Sequence, residues 1–339
     1  MQKLLNKIFD AELLSKEEAR ELLTQITEGK VNDAQIIAVM TALKMRTIST
    51  AELNGFREAL LEQAVIPALY TTEAIDVCGT GGDGKNTFNI STLAAFVIAG
   101  TGYKVIKHGN YGVSSLVGSS TMLESLGYKF TTDSSLLNRQ LSEQNICFLH
   151  APLFHPALKK VAPLRKDLGM RTFFNFLGPL VNPVQPKYQL TGVYSLELIR
   201  VYKQILSNER SNFKVVHSLD GYDEISLTSA FKVANKNEEL ILYPEDLELK
   251  PLAEKDLFCG DKIEEAKEIF LNVLKGEATD AQMQVVLTNA AFGIQCFDSD
   301  KTFKVAYQEA ENAVMSGKVA QNFNDLINNT KVVSNEFVR

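Results

Sequence analysis

The chain has 339 residues, is 45% hydrophobic and 22% charged, and carries a formal net charge of −6. That length supplies enough apolar mass for two domains, and a mildly acidic chain without a long basic run excludes general nucleic-acid binding, which needs clustered Lys and Arg. The cysteines Cys78, Cys147, Cys259 and Cys296 are scattered and form no CxxC pair, so a disulfide scaffold and a thiolate zinc site are excluded and a reducing cytoplasm is expected.

Residues 1–20 hold no apolar signal core. The most apolar stretch, Leu93 to Gly100, is too short to span a bilayer, so no membrane partner is expected. The first 67 residues read as helices. Ser15 and Glu18 have capping-box spacing, and behind them Ala19, Leu22, Leu23 and Ile26 share one helical face. Gly29 then stands where a left-handed residue closes a helix. A second helix carries Ile36, Ile37, Met40 and Leu43, and a third opens on the box Ser49 and Glu52. Pro67 interrupts the pattern, which sets residues 1–67 apart as a small α-helical domain, its exposed faces read as packing or dimer surface.

From residue 68 to 339 strands and helices alternate. Strands are predicted at Ala74 to Cys78, Tyr103 to Ile106, Ile146 to Leu149, Tyr188 to Tyr194 and Phe213 to Leu219. Helices are predicted at Leu93 to Ala99, Ser120 to Leu126, Leu196 to Glu209 and over most of the chain after Gly260. The fold class is therefore α/β, a small N-terminal α-helical domain plus a larger α/β domain with a mostly parallel central sheet. In such sheets ligands sit at the carboxyl ends of strands.

Four stretches carry chemistry. The loop Gly79-Thr80-Gly81-Gly82-Asp83-Gly84 follows a strand and leads into Asn89-Ile90-Ser91-Thr92, which opens a helix. Glycine backbone and a helix N-terminus together suit a phosphate, although a glycine-rich turn is as often only a turn. Asp83 suits a metal or a ribose hydroxyl better than a bare phosphate. The run Lys107 to Ser115, with Ser119 beyond it, offers one mobile cation and many donors for an anion; His108 in it reads as a base, a ligand or a loop residue. Arg165 or Arg171 could grip a carboxylate in bidentate fashion or pair on the surface. Asp223-Glu224 reads either as a solvated turn or as a magnesium seat shared with substrate phosphates.

Taken together, GTGGDGKNTFNIST at 79–92, KHGNYGVSS at 107–115, GSSTMLESLG at 118–127, RTFFNFLGPLVNP at 171–183 and DEIS at 223–226 resemble the anthranilate phosphoribosyltransferases. The resemblance covers nearly the whole chain. It implies a pentosyltransferase of L-tryptophan biosynthesis that moves the 5-phosphoribosyl group of phosphoribosyl pyrophosphate (PRPP) to the amine of anthranilate. It also implies a later segment near 155–180 joined to the helical domain, a homodimer, and two Mg²⁺ per subunit. By motif match, PRPP would meet Gly79, Gly82, Asp83, Thr87, Asn89, Ile90, Ser91, Thr92, Lys107, His108, Gly109, Asn110, Tyr111, Gly112, Val113, Ser114, Ser115 and Ser119. Magnesium would be held by Ser91, Asp223 and Glu224. Anthranilate would meet Gly79, Asn110 and Arg165, with His108 and His155 lining its approach. Lys107, His108 and Arg165 are the expected catalytic residues. Two departures from the family pattern stand out: Tyr111 where Arg is frequent, and Ser120-Thr121 where many members have Ala-Asp. A pyrimidine nucleoside phosphorylase would share the fold but use phosphate, and its glycine loop differs from GTGGDG. A nucleic-acid-binding relative without activity is opposed by the net charge and by Arg165 with Asp223-Glu224.

Overall fold

Local capping chemistry builds the helices of the first unit. The computed structural model describes residues 1–112 and 117–336, with side-chain detail to residue 329. Residues Met1–Pro67 and Ala151–Gln185 form one unit. It contains α1 (Gln2–Phe9), α2 (Lys16–Thr27), α3 (Asp33–Lys44) and α4 (Thr50–Glu62). Three reciprocal capping boxes start α2, α3 and α4, at Ser15 with Glu18, Asn32 with Gln35, and Ser49 with Glu52. Each box satisfies two N–H groups that the helix leaves without a carbonyl partner. Gly29 adopts φ +79° just past α2, the left-handed conformation expected of it.

The buried face of α2 is Ala19, Leu22, Leu23 and Ile26, as its period required. On α3 it is Ile36, Val39, Met40 and Leu43; Ile37 is only half-buried, so the stripe is rotated by part of a turn from the sequence reading. Glu52 does more than cap. Its buried carboxylate accepts N–H bonds from Leu14 (3.0 Å) and Ser49 (2.9 Å) and pairs with Arg46. Burial alone would raise its pKa; Arg46 and the two amides outweigh that and hold it below the usual carboxylate range. The later segment completes this unit's core. Phe173 packs on Phe56 with centroids 4.5 Å apart, and Arg57 Nε donates to the Leu180 carbonyl at 3.1 Å.

Residues Ala68–His150 and Pro186–Arg339 form the second unit. Its seven strands are β1 (Ile75–Gly79), β2 (Val105–Gly109), β3 (Ile146–His150), β4 (Tyr188–Gly192), β5 (Asn212–Ser218), β6 (Phe231–Ala234) and β7 (Glu239–Leu242). They lie in the order β3-β2-β1-β4-β5-β6-β7. The first five run parallel, and β6 and β7 add an antiparallel edge. The chain steps outward from β1 through β2 to β3, then returns to the other side of β1 for β4. That reversal opens a crevice at the carboxyl ends of β1 and β4.

Helix α5 (Ile90–Gly100) follows β1 and is buried on every side, which explains its unbroken apolar run. Phe96 at its middle meets Phe148, Phe270 and Phe323, with centroids 5.5, 6.1 and 5.3 Å away. A helix gripped all round cannot slide, so its N-terminus is held rigidly at the crevice. Helices α6 (Ser119–Ser125) and α7 (Ser134–Glu143) lead from β2 to β3. Among the described residues no helix is long and apolar enough to cross a membrane.

Candidate active site

The crevice is organised around Asp223 and Glu224. Gly79 at the end of β1 and Gly192 at the end of β4 are register partners, and Asp223 lies over both. A Cβ on Gly79 would stand 2.3 Å from Asp223 Oδ2, and one on Gly192 would stand 1.4 Å from the Asp223 backbone oxygen. At Gly192 no side chain fits against that main-chain atom, and at Gly79 one would push the Asp223 carboxylate aside, so glycine at both strand ends lets the 223–224 turn close onto the sheet. Asp223 Oδ2 accepts the Gly81 N–H at 2.6 Å. Glu224 Oε1 accepts the Ser91 N–H in the first turn of α5 at 3.0 Å, and Oε2 takes the Thr87 hydroxyl at 3.4 Å. The glycine loop, the start of α5 and the acidic pair are thereby one site. Asp223 is 7% exposed, so the pair is no solvated turn.

The anion at the α5 N-terminus is the chain's own Glu224 carboxylate, which takes the Ser91 N–H in place of the expected phosphate. Ile90 is buried and its N–H is bonded to the Phe88 carbonyl at 2.6 Å. Asn89 Nδ2 donates to the Val117 carbonyl at 3.0 Å, tying this helix start to the segment after β2. Gly82 has φ +77°, and Asp83 beside it accepts the Lys85 N–H at 3.1 Å.

Burial pushes the Asp223 carboxyl well above the usual range, and Asp83 and Glu224 add to the rise. Glu224 is lifted to about 7, again by burial first and Asp83 second, against the Ser91 amide and Lys107. Asp223 and Glu224 beside Asp83 are thus buried carboxyls whose negative charge a bound cation would favour. Oxygen donors from Asp223, Glu224 and the Ser91 hydroxyl suit Mg²⁺, which takes one or two carboxylates and completes its shell from substrate and water. Among the described residues no cluster of three His, Cys, Asp or Glu side chains could cage a metal alone. Buried side-chain oxygens of Thr80, Asn89 and Thr92 have no hydrogen-bond partner among the described residues, polar capacity that a ligand or water could use.

The raised Glu224 pKa makes a stability prediction. A carboxyl whose folded pKa lies above its unfolded value stabilises the fold while protonated and loses that contribution as pH rises from about 4.5 through about 7. In metal-free protein the stability of Glu224→Gln relative to the parent should therefore grow between pH 5 and pH 8, by about 2 kcal/mol. Parallel melting curves of the two proteins across that range would disprove it.

Lys107 corrects an expectation. It is not a mobile loop cation but a residue inside β2, 2% exposed, with its ammonium donating to the Val77 carbonyl. Burial pushes its pKa down, while Cys78, Asp76, Glu224 and Asp223 pull it up. It serves the acidic pair as a fixed counter-charge within the sheet. His108 is likewise a strand residue, 5% exposed, its N–H bonded to Asp76 Oδ1 at 3.1 Å. Gly109 ends β2, and Asn110, Tyr111 and Gly112 follow. Ser119 begins α6 and its hydroxyl donates to the Asn110 carbonyl at 3.2 Å. Val113, Ser114 and Ser115 lie outside the described residues.

Arg165 and His155 belong to the helical unit. Arg165 sits on the helix Val161–Leu168 with its guanidinium 5.3 Å from the Phe174 ring centroid. His155 is 1% exposed, and its Nε2 donates to the Val181 carbonyl at 2.7 Å, which places it within that unit's packing.

Sequence reasoning missed Gly192, whose cue was a glycine inside a strand pattern, and His150. The two departures noted in the sequence meet at His150: Ser120 Oγ lies 2.9 Å from its Nδ1, and the Tyr111 ring stands edge-on to its imidazole at 4.8 Å.

Comparison with known proteins agrees with this geometry. Residues 2–64 match the glycosyl transferase family helical bundle domain, and residues 71–320 match that family's a/b domain. An anthranilate phosphoribosyltransferase of Bacteroides thetaiotaomicron is 50% identical over 94% of this chain and 96% of its own length. The crystal structure of the Thermus thermophilus enzyme of that name superposes with a TM-score of 0.89 at 31% identity, covering 97% of this chain and 99% of the other. The Saccharomyces cerevisiae enzyme in complex with PRPP and Mg gives a TM-score of 0.89 at 25% identity, covering 98% of each chain. With the two domains in the same order and the sheet, crevice and acidic turn in place, the chain belongs to the anthranilate phosphoribosyltransferases.

Proposed function

We propose that the crevice at β1 and β4 is where PRPP and Mg²⁺ bind, and that the acidic turn is its metal seat. The family reaction is transfer of the 5-phosphoribosyl group from PRPP to the amine of anthranilate, giving N-(5-phosphoribosyl)anthranilate and pyrophosphate. The observation that carries the reading is the convergence of Gly81, Thr87 and Ser91 on Asp223 and Glu224. Asp223 and Glu224, with the Ser91 hydroxyl, would hold the metal, with two ions per subunit. Its chemistry is to neutralise charge growing on the departing pyrophosphate.

The chain's own residues do the rest. Backbone N–H groups of Gly82, Asp83 and Gly84, with the hydroxyls of Thr80 and Thr92, would orient the diphosphate. Lys107 supplies positive potential from inside the sheet, where it cannot stray and needs no reorganisation as charge develops. Asn110 and Ser119 offer donors at the second strand end. Anthranilate's amine is a weak nucleophile, so its orientation matters more than its activation. Arg165 is the expected partner of its carboxylate, and Arg165→Ala should raise the anthranilate KM about tenfold or more while sparing the PRPP KM, as loss of a charge-assisted pair predicts. Equal KM values in variant and parent would exclude that role.

A homodimer through the helical unit is part of this reading, supported by the exposed apolar side chains of Phe9, Leu13 and Met45. Four buried free thiols suit a reducing compartment, the cytoplasm. The deciding experiment follows the fluorescence of anthranilate with PRPP, with and without Mg²⁺. Anthranilate loss that needs both is expected; loss with phosphate in place of PRPP would favour a phosphorylase.

A further inference from the structure

His150 is the last residue of β3 and the register partner of Gly109, the last residue of β2. It is 5% exposed. One face of the imidazole stacks on Phe130, with centroids 4.5 Å apart and planes 18° apart, while the Tyr111 ring meets it edge-on. Ser120 Oγ lies 2.9 Å from Nδ1. Tyr111 is in turn fixed at its far end, its hydroxyl donating to Glu124 Oε1 at 3.0 Å.

Tyr111 and Ser120 sit on opposite flanks of the segment after β2. The flanks also bond to each other: the Ser120 N–H and the Ser119 hydroxyl both donate to the Asn110 carbonyl, at 3.3 and 3.2 Å. One imidazole therefore touches both sides of the segment and the neighbouring strand end at once. Burial keeps that ring below the ordinary histidine pKa against the pull of Glu124, so at neutral pH it is uncharged and Nδ1 can accept the Ser120 hydroxyl proton.

We infer that His150 is a positioning residue for the phosphoribosyl donor, locking the hydroxyls of residues 110–112 and 118–120 into bonds within the protein so that the remaining backbone N–H groups of these residues keep one arrangement at the crevice. The inference rests on the PRPP reading of that crevice. No part of it requires His150 to touch substrate. The mechanism is preorganisation: donors already aligned lose nothing on binding, whereas donors that must be gathered weaken every contact they make.

Steady-state kinetics of His150→Ala, His150→Phe and Ser120→Ala, varying PRPP and anthranilate separately, test it. His150→Ala removes both the acceptor and the ring. It should raise the PRPP KM about tenfold and the anthranilate KM by a clearly smaller factor, since of the loosened residues only Asn110 is also expected to meet anthranilate. His150→Phe keeps the stack on Phe130 and the edge for Tyr111, so it should recover part of the loss. Ser120→Ala, which deletes the same hydrogen bond from the other side, should match it. A residue that only supports the fold would lower the melting temperature and change both KM values together or neither; either pattern overturns the inference. Should His150→Ala not fold, the other two variants decide it, since unchanged PRPP KM values in both are equally fatal. A parent protein whose turnover does not saturate with PRPP overturns the donor reading itself and this inference with it. A saturable parent with unresponsive variants overturns the inference alone.

Discussion

Asp223→Asn combined with Glu224→Gln should cost about a thousandfold in magnesium-dependent kcat/KM, the equivalent of about 4 kcal/mol of transition-state stabilisation from the lost metal seat. Both replacements keep the shape and an oxygen acceptor, so the Gly81 and Ser91 N–H bonds survive. What disappears is the negative charge. The same change should stabilise the metal-free protein at pH 8, because the parent there carries carboxyls that burial and Asp83 both disfavour. Activity and stability thus move in opposite directions, which distinguishes a lost metal seat from general damage. Turnover within about tenfold of the parent, with an unaltered Mg²⁺ titration, is incompatible with the assigned role.

Gly192→Ala is the second large effect. The added Cβ would lie 1.4 Å from the Asp223 backbone oxygen and 2.6 Å from its carbonyl carbon. Those are main-chain atoms with no rotamer to turn away, so either β4 or the 223–224 turn must shift. Overpacking of that kind costs about 2–3 kcal/mol, and a displacement of the acidic pair by even about 1 Å should lower kcat/KM about a hundredfold. Added Mg²⁺ should not restore it, since the donors themselves have moved. A variant with parental melting temperature and kinetics would show that the 223–224 turn does not rest on β4 as described. Gly79→Ala makes a milder clash, since its Cβ meets the Asp223 carboxylate oxygen, a side-chain atom, at 2.3 Å.

Features written in local chemistry were legible from the sequence. Capping boxes at Ser15 and Ser49 depend on residues three apart, and both form. The Asn32 and Gln35 box works by the same geometry but uses two amides in place of hydroxyl and carboxylate, so it escaped notice. The five parallel strands announced themselves by short apolar runs. The hairpin of β6 and β7 did not: β7 is an edge strand with Glu239, Leu240 and Ile241 all exposed, so no alternation marks it. At the site, the motifs located the loops but not their depth. Lys107 looked like the first residue of a loop because lysine is seldom buried, yet β2 continues through it and the Val77 carbonyl receives its ammonium. The burial of Asp223 depends on Gly79 and Gly192 at once, two strand ends on separate parts of the chain, and that convergence leaves no local trace. His150 was overlooked for a related reason: its partners Tyr111, Ser120 and Phe130 converge only after β2 and β3 pair.

The divided helical unit has a bearing on biosynthesis. Its first 67 residues leave the ribosome well before residues 151–185, which supply the Phe173 ring for Phe56 and the Leu180 carbonyl for Arg57. The nascent bundle must wait, with part of its apolar face uncovered, while β1, β2 and β3 are being synthesised. Strong helix-start signals on α2, α3 and α4 would keep these early segments ordered through that interval, when no distant contact can yet do so.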